Sequence, residues 1–253
     1  MGLVCSFFST IPYKYWAAVH NHHHVHTGKL EHRDIGDINF LTVEEYRKRS
    51  WLGKLRYRIF RNPVILFGLV PVIYLTLSNR IPTFLSIKKI KDVAWTQIFN
   101  NVAMLSVYLG LGYLLGWKDF FMVQIPIVIG FMIIAFWFFY VQHQHEETYM
   151  RWQKNWDYVL AAIRGATYYK LPKVLQWFTG NIGFHHIHHL SASIPNYNLE
   201  RCQKENPILE KFVTVITLRD SLKIAFNKLW DEETKRMITF AEYHQLMKMR
   251  KLV

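Results

Sequence analysis

TQIFNNVAMLSVYLGLGYLLGW (residues 96–117) is the first of two uncharged runs that indicate the fold. The second run, FFMVQIPIVIGFMIIAFWFFYVQ (residues 120–142), follows after Lys118 and Asp119. Neither run contains Asp, Glu, Lys or Arg. As α-helices that rise 1.5 Å per residue, the runs would each be about 33 Å long, enough to cross a hydrocarbon core of about 30 Å. The short polar connection predicts a transmembrane hairpin over residues 96–142.

A third uncharged stretch, residues 62–79, is interrupted by Pro63 and Pro71. Both of its flanks are basic, since residues 47–61 carry seven Lys or Arg and no acid, and residues 80–91 carry four. Under the positive-inside rule both flanks are cytoplasmic. The stretch is therefore predicted to be re-entrant or interfacial, with its bend at Pro71. The alternative is that all three stretches span the membrane.

The composition of the 253 residues excludes several protein classes. An apolar fraction of 51%, 12 Gly and two Cys argue against disorder, collagen and a disulfide scaffold. The formal net charge of +13 suits an anionic membrane face at least as well as nucleic acid. Aromatic residues make up 16% of the chain and are interpreted as membrane core and interfacial belt, so no nucleic-acid partner is predicted.

Two motifs predict helix starts outside the apolar runs. TVEE at residues 42–45 is a capping box for a helix that runs into the basic segment 47–61. TLRD at residues 217–220 predicts a second start before a basic stretch that ends near Trp230. With no repeat or linker, residues 1–253 are interpreted as one all-α membrane domain with a cytoplasmic helical cap.

Nine of the thirteen histidines fall in two clusters, HNHHHVH at residues 20–26 and HHIHH at residues 185–189. Each cluster contains H-x-x-H-H. In a helix that turns about 100° per residue, positions i, i+3 and i+4 share one face. Each cluster therefore presents three imidazoles on one side, namely His20, His23 and His24 in the first and His185, His188 and His189 in the second.

Neutral imidazoles suit Zn, Cu, Fe or Ni, and two such faces offer more ligands than one tetrahedral ion needs, so two ions are predicted. The absence of Cys from both clusters argues against a closed structural zinc site. His143 follows the hairpin and adds a ligand, with Glu146 and Glu147 expected as carboxylates that orient it. One box alone would more often be a solvated loop or an adventitious binder, but the repetition favours a shared site.

The remaining histidines lie outside these faces. His145 stays open between a ligand and a structural role. Packing, hydrogen-bonding or surface roles are predicted for the others, which are His22, His26, His32, His186 and His244.

The sequence resembles the membrane fatty acyl desaturases, in particular the acyl-lipid Δ12/ω6 type of bacteria and plastids. The most specific block is GNIGFHHIHHL at residues 180–190, followed by IPNY at residues 194–197. Further similarity lies at residues 12–24, 36–46 and 139–144, the last reading FYVQHQ. The resemblance covers about residues 11–235.

This resemblance implies an oxidoreductase with two non-haem iron ions. It would use O2 and electrons from an external donor of the ferredoxin or cytochrome b5 type to introduce a double bond into a membrane-lipid acyl chain. It implies an integral protein of a bacterial inner membrane or an organellar membrane, with the histidine boxes facing the cytoplasm. The iron ligands carried over onto this sequence are His20, His23, His24, His143, His185, His188 and His189.

The chain departs from the family pattern at its start. Family members carry an earlier H-x-x-x-H box after two N-terminal spans, for which this sequence has no counterpart, so the N-terminal part of the family domain is expected to be missing. Two alternatives stay open: a catalytically inactive, truncated membrane metal-binding homologue, and a related diiron hydroxylase or ketolase. The double-bond position, the headgroup or acyl carrier, the electron donor and the oligomeric state are left open.

Overall fold

The structure is a computed structural model that describes residues 2–250 and is mostly helical. The α-helices are α1 (Gly2–Ser9), α2 (Tyr13–His26), α3 (Val43–Lys48), α4 (Trp51–Phe60), α5 (Val70–Thr76), α6 (Lys88–Lys91), α7 (Ala94–Leu115), α8 (Trp117–His143), α9 (Tyr158–Arg164), α10 (Lys173–Phe178), α11 (His185–Leu190), α12 (Asn196–Glu205), α13 (Leu218–Ile224) and α14 (Phe240–Met249). The predicted predominance of helix is confirmed.

Two small sheets accompany the helices. Their strands are β1 (Leu41–Thr42), β2 (Thr167–Tyr169), β3 (Thr214–Ile216), β4 (Leu229–Asp231) and β5 (Arg236–Ile238). Strand β4 pairs in parallel with β1 and antiparallel with β5, while β2 and β3 form a parallel pair. The all-α prediction omitted these strands, because two or three residues are too short to show the alternation that marks a strand in sequence.

The described residues divide into two compact units. The first comprises residues 2–22 and 59–137, and the second comprises residues 23–58 and 138–250. The first unit contains α7 and most of α8. The second contains both sheets, the end of α2 and helices α9 to α14.

Helices α7 and α8 form the predicted hairpin. Each is long and apolar enough to cross a membrane, and in residues 2–250 the only further candidate is the bent pair of α4 with Ile65–Thr76. The turn lies at Gly116, whereas the sequence predicted it at Lys118 and Asp119. Gly116 has a φ of +85°, which glycine adopts without steric cost, and the two charged residues instead open α8.

Residues 62–79 form a short, interrupted helical segment. A π-helical turn, Ile65–Leu69, continues into α5, and together they span 12 residues, about 18 Å at 1.5 Å per residue. That length alone does not cross a bilayer core, so it favours the predicted re-entrant or interfacial role. The predicted bend at Pro71 is wrong: the helical path breaks between Phe60 and Ile65, and Pro71 lies in the first turn of α5, where proline is tolerated.

In the second unit, both predicted helix starts are confirmed. The Thr42 hydroxyl accepts from the Glu45 N–H at 3.2 Å, and the Glu45 carboxylate accepts from the Thr42 N–H at 2.8 Å. Thr217 and Asp220 form the same reciprocal box at the start of α13. Helix α3 runs into the basic segment as predicted and ends at Lys48, while α13 ends at Ile224, which leaves Trp230 in β4.

Buried side chains of this unit fix the second histidine box. Phe184 and Ile187 pack with Leu199 of α12 in one apolar cluster. The Tyr158 hydroxyl of α9 donates to the His189 carbonyl at 2.8 Å. Helix α11 is therefore held by contacts on two sides, and its histidine face remains available to contact other elements.

Candidate metal centre

Four imidazoles from three helices meet in the second unit. His23 comes from the last turn of α2, His143 ends α8, and His185 and His189 lie one turn apart in α11. The Nε2 atom of His143 lies 2.9 Å from that of His185 and 3.2 Å from those of His23 and His189. The Nε2 atoms of His185 and His189 are also 3.2 Å apart. All four side chains are buried.

A hydrogen bond on the far side of one ring fixes its tautomer. The Nδ1 of His143 lies 3.0 Å from the Gly165 carbonyl, which only accepts, so this Nδ1 carries the proton and the Nε2 lone pair points into the cluster. The Asp37 carboxylate lies 3.0 Å from the Nδ1 of His23. Three imidazole nitrogens lie within 3.2 Å of the His143 Nε2, an arrangement that suits a shared cation.

The spacing of the nitrogen atoms fits such a cation. Imidazole nitrogens bind transition metals at about 2.1 Å, so two ligands at a right angle are about 3.0 Å apart and two tetrahedral ligands about 3.4 Å apart. The observed distances of 2.9 to 3.2 Å fall in this range. His23, His143 and His189 also form a group whose ligand atoms lie within 4.8 Å of one another. The residues therefore fit an imidazole-bound metal ion.

His24 and His188 extend the cluster. Their ring centroids are 4.5 Å apart, and the His24 ring stacks on His189 at 4.2 Å. Burial, reinforced by neighbouring histidines, lowers the pKa of His24 to about 3 and that of His188 to about 4. Burial also holds the pKa of His185 and His189 well below the usual value. These rings are therefore neutral near pH 7, with lone pairs available to metal.

The seventh predicted ligand, His20, belongs to the first unit. It lies in α2 one turn before His24, and its ring stacks on Trp16 at a centroid distance of 4.6 Å. Its role as a ligand stays a prediction.

The expected role of Glu146 and Glu147 is not supported. Helix α8 ends at His143, so the helical face does not continue to these positions. Both carboxylates are exposed, and Glu146 pairs with Arg236 at 2.7 Å. The carboxylate behind the cluster is instead Asp37, which sequence reasoning did not assign to the site. The Gly36-Asp37 pair within the family-like block at residues 36–46 was the available signal.

The other histidines of the second unit have different surroundings. His186 bonds through Nε2 to the Gln203 side chain at 2.8 Å, which agrees with its predicted hydrogen-bonding role. His145 is buried, which lowers its pKa to about 3. His26 and His32 have ring centroids 4.3 Å apart, and His244 bonds to Arg58.

Neighbouring groups hold the cluster in place and screen it. The Phe139 ring packs against His23 and His143 at 5.1 Å. The Gln142 amide donates to the Ile182 carbonyl at 2.8 Å, which ties the end of α8 to the loop before α11. A rigid, apolar setting of this kind keeps metal ligands oriented and limits access of water.

Comparisons with known proteins identify the family of this chain. A family model described as fatty acid desaturase matches residues 1–217. A Bacillus subtilis (strain 168) protein named fatty acid desaturase is 40% identical over 240 residues, which cover 95% of this chain and 67% of that protein. The sn-1 oleoyl-lipid 12-desaturase of Synechocystis sp. is 26% identical over 74% of this chain and 52% of its own length.

Plant proteins are more distant relatives. The chloroplastic omega-6 fatty acid desaturase of Glycine max is 21% identical over 76% of this chain and 44% of its own length. The chain thus spans about half the length of the cyanobacterial and plant relatives it matches and about two thirds of the Bacillus protein. Since the family model covers most of the sequence and the Bacillus identity is high, the chain belongs to the fatty acid desaturase family of membrane-associated oxidoreductases.

Proposed function

We propose that this chain carries the histidine-ligated iron centre of an acyl-lipid desaturase, which introduces a double bond into a membrane-lipid acyl chain at the expense of O2. The observation that carries the proposal is the convergence of four Nε2 atoms from α2, α8 and α11 at 2.9 to 3.2 Å. Family membership supports the reaction class.

The chemistry explains why metal is needed. An alkyl C–H bond offers no acid, base or leaving group to a side chain, so the oxidant has to come from a cofactor. When bound, two iron ions would supply that oxidant from O2 and two electrons. Overall, two hydrogens leave the acyl chain, and O2 with two further electrons and two protons is reduced to two waters.

The protein's own residues have separable roles in this proposal. His23, His143, His185 and His189 would hold one ion, and His24 and His188 would contribute to the second. The Gly165 carbonyl keeps a proton on the Nδ1 of His143, so that its Nε2 lone pair stays available to metal, and the Asp37 carboxylate lies 3.0 Å from the Nδ1 of His23. Phe139 packs against this face and limits the access of water.

The relatives indicate the substrate class. Two of them are named sn-1 oleoyl-lipid 12-desaturase and omega-6 fatty acid desaturase. The apolar helices α7 and α8 would hold the chain where acyl tails are found. An electron carrier of the ferredoxin or cytochrome b5 type would approach from the cytoplasm, the side that the positive-inside rule predicts for the basic flanks.

Expression in a host whose lipids contain only saturated and monounsaturated acyl chains tests the activity. Gas chromatography of the fatty acids should show a new unsaturated species with the unchanged chain and none with His189→Ala. His186→Asn is the matched control, since His186 bonds to Gln203, and it should retain the product. No new double bond from iron-loaded protein supplied with a reducing donor would contradict the proposal, and a hydroxylated or oxo product would indicate the sister activity.

A further inference from the structure

A groove of about 720 Å³ lies in the second unit, between α3, α4 and α14. Four permanent cations line it, namely Arg47, Lys54, Arg58 and Arg250. The groove does not share residues with the histidine cluster, and the function proposed above does not use it. Its volume is in the range of small-molecule sites.

Only two of the four cations are neutralised by acids. Arg47 pairs with Glu44 at 3.0 Å, and Arg250 pairs with Glu233. Among residues 2–250, no carboxylate forms an ion pair with Lys54 or Arg58. The groove therefore keeps an excess of two positive charges at these side chains, which favours an anionic ligand.

Neutral partners hold the Arg58 guanidinium in place. Its Nε–H donates to the Tyr46 hydroxyl at 2.7 Å, and a terminal nitrogen donates to His244 Nε2 at 2.6 Å. The group also lies over the Phe240 ring at 4.7 Å. These two bonds use two of the five N–H donors of arginine, so a fixed fork remains that can bind phosphate oxygens.

Apolar side chains stand beside this charge. Trp51 is 77% exposed, and Leu52 and Leu55 on the same helix are also exposed. Exposed Trp and Leu next to Lys and Arg are typical of a helix at the headgroup level of a membrane. A contact with an acidic protein needs the cations but not this apolar surface, so the combination favours an amphiphile.

We propose that the groove binds one anionic phospholipid. The phosphodiester lies at Arg58 and Lys54, and the apolar part of the lipid packs against Trp51 and Leu55. This site is independent of the metal centre, so its test does not depend on desaturase activity.

Native mass spectrometry of the purified, delipidated full chain in neutral detergent tests the proposal, with phosphatidylglycerol and phosphatidylcholine as probes. We expect one phosphatidylglycerol per chain at concentrations where phosphatidylcholine is not retained. Each of Lys54→Gln and Arg58→Gln should weaken binding about fivefold, the effect of one basic residue near an anionic lipid. Arg56→Gln removes the same charge from the exposed side of α4 and should change binding less than about twofold.

Further arms separate the possible ligands. Inorganic phosphate should compete only weakly, because it lacks the apolar part. Lys54 makes no hydrogen bond that packing depends on, so Lys54→Gln keeps the test valid if Arg58→Gln unfolds. Four outcomes would each overturn the proposal. Two concern binding of lipid: equal retention of both lipids, or equal effects of Arg56→Gln and Lys54→Gln. The other two are phosphate competition as strong as that of the lipid, and variants that lose only the binding of an acidic ferredoxin.

Discussion

At the scale of single residues, the metal centre depends on which nitrogen of each ring carries a proton. The Gly165 carbonyl accepts from the Nδ1 of His143, which leaves the His143 Nε2 lone pair directed at three other imidazole nitrogens. The Asp37 carboxylate lies 3.0 Å from the Nδ1 of His23. In the proposed centre, metal affinity would therefore depend partly on two oxygens that do not touch the ion.

Replacement of Asp37 tests this role. Asp37→Asn removes the negative charge 3.0 Å from the Nδ1 of His23, and we expect iron affinity to fall about 10- to 100-fold, the usual effect of losing such a carboxylate. Competition with a calibrated chelator measures the change. Asp34→Asn is the matched control, because Asp34 is exposed and makes no contact with the cluster in the described residues. Equal affinities for the two variants would contradict the role of Asp37.

The two histidine faces could be predicted from sequence, but the neighbouring Asp37 could not. The H-x-x-H-H spacing marks a helical face wherever the helix lies, which is why His23, His185 and His189 were identified. Asp37 follows Gly36, whose φ is +78°, in a loop without periodicity, so no spacing rule links it to His23. Glu146 and Glu147 were wrongly expected because the assumed helix ends at His143.

At the scale of elements, glycines decide how closely the segments around the centre approach each other. A Cβ on Gly183 would lie 2.4 Å from the Tyr169 carbonyl oxygen of β2 and 2.7 Å from the Gln176 side chain. The Tyr169 N–H also donates to the Gly183 carbonyl at 2.7 Å. The start of α11 is thus fixed against β2 at a distance that only glycine permits.

Gly183→Ala should therefore displace α11. We expect a destabilisation of about 1 to 3 kcal/mol, as for other overpacked sites, together with a loss of bound iron. Gly53→Ala is the control, since its Cβ would meet its neighbours at ordinary distances of 3.4 Å or more and alanine favours helix. Thermal unfolding in detergent gives the comparison, and an unchanged midpoint for Gly183→Ala would show that the approach is not tight.

Element prediction succeeded where the signal was local. The apolar runs and both capping boxes depend on residues close in sequence, and both were confirmed. The turn of the hairpin was misplaced because charged residues were weighted over Gly116, whose left-handed backbone ends α7. The parallel pairing of β2 with β3 joins residues 167–169 to residues 214–216, and such distant pairing leaves no local pattern.

At the scale of the whole molecule, the chain combines a hairpin of two helices long and apolar enough to cross a membrane with a second unit in which distant histidines meet. Residues 23, 143 and 185 are far apart in sequence, yet their Nε2 atoms lie within 3.2 Å of a neighbour in the cluster. Repetition of the same motif predicted that the two boxes share a site, and the structure of the second unit agrees. We propose that these imidazoles bind metal together.

The iron content of the purified full chain tests whether these imidazoles bind metal together. We compare the unchanged protein with His23→Ala, His143→Ala and His185→Ala, one from each of α2, α8 and α11, with His186→Asn as control. We expect about two irons per chain in the unchanged protein and in His186→Asn. Each of the other variants should lose about one iron. The double variant of His23 and His185 should lose no more iron than either single variant, since the effects of residues that share one site are not additive. Unchanged iron in these variants, or losses that add across the helices, would contradict the proposal.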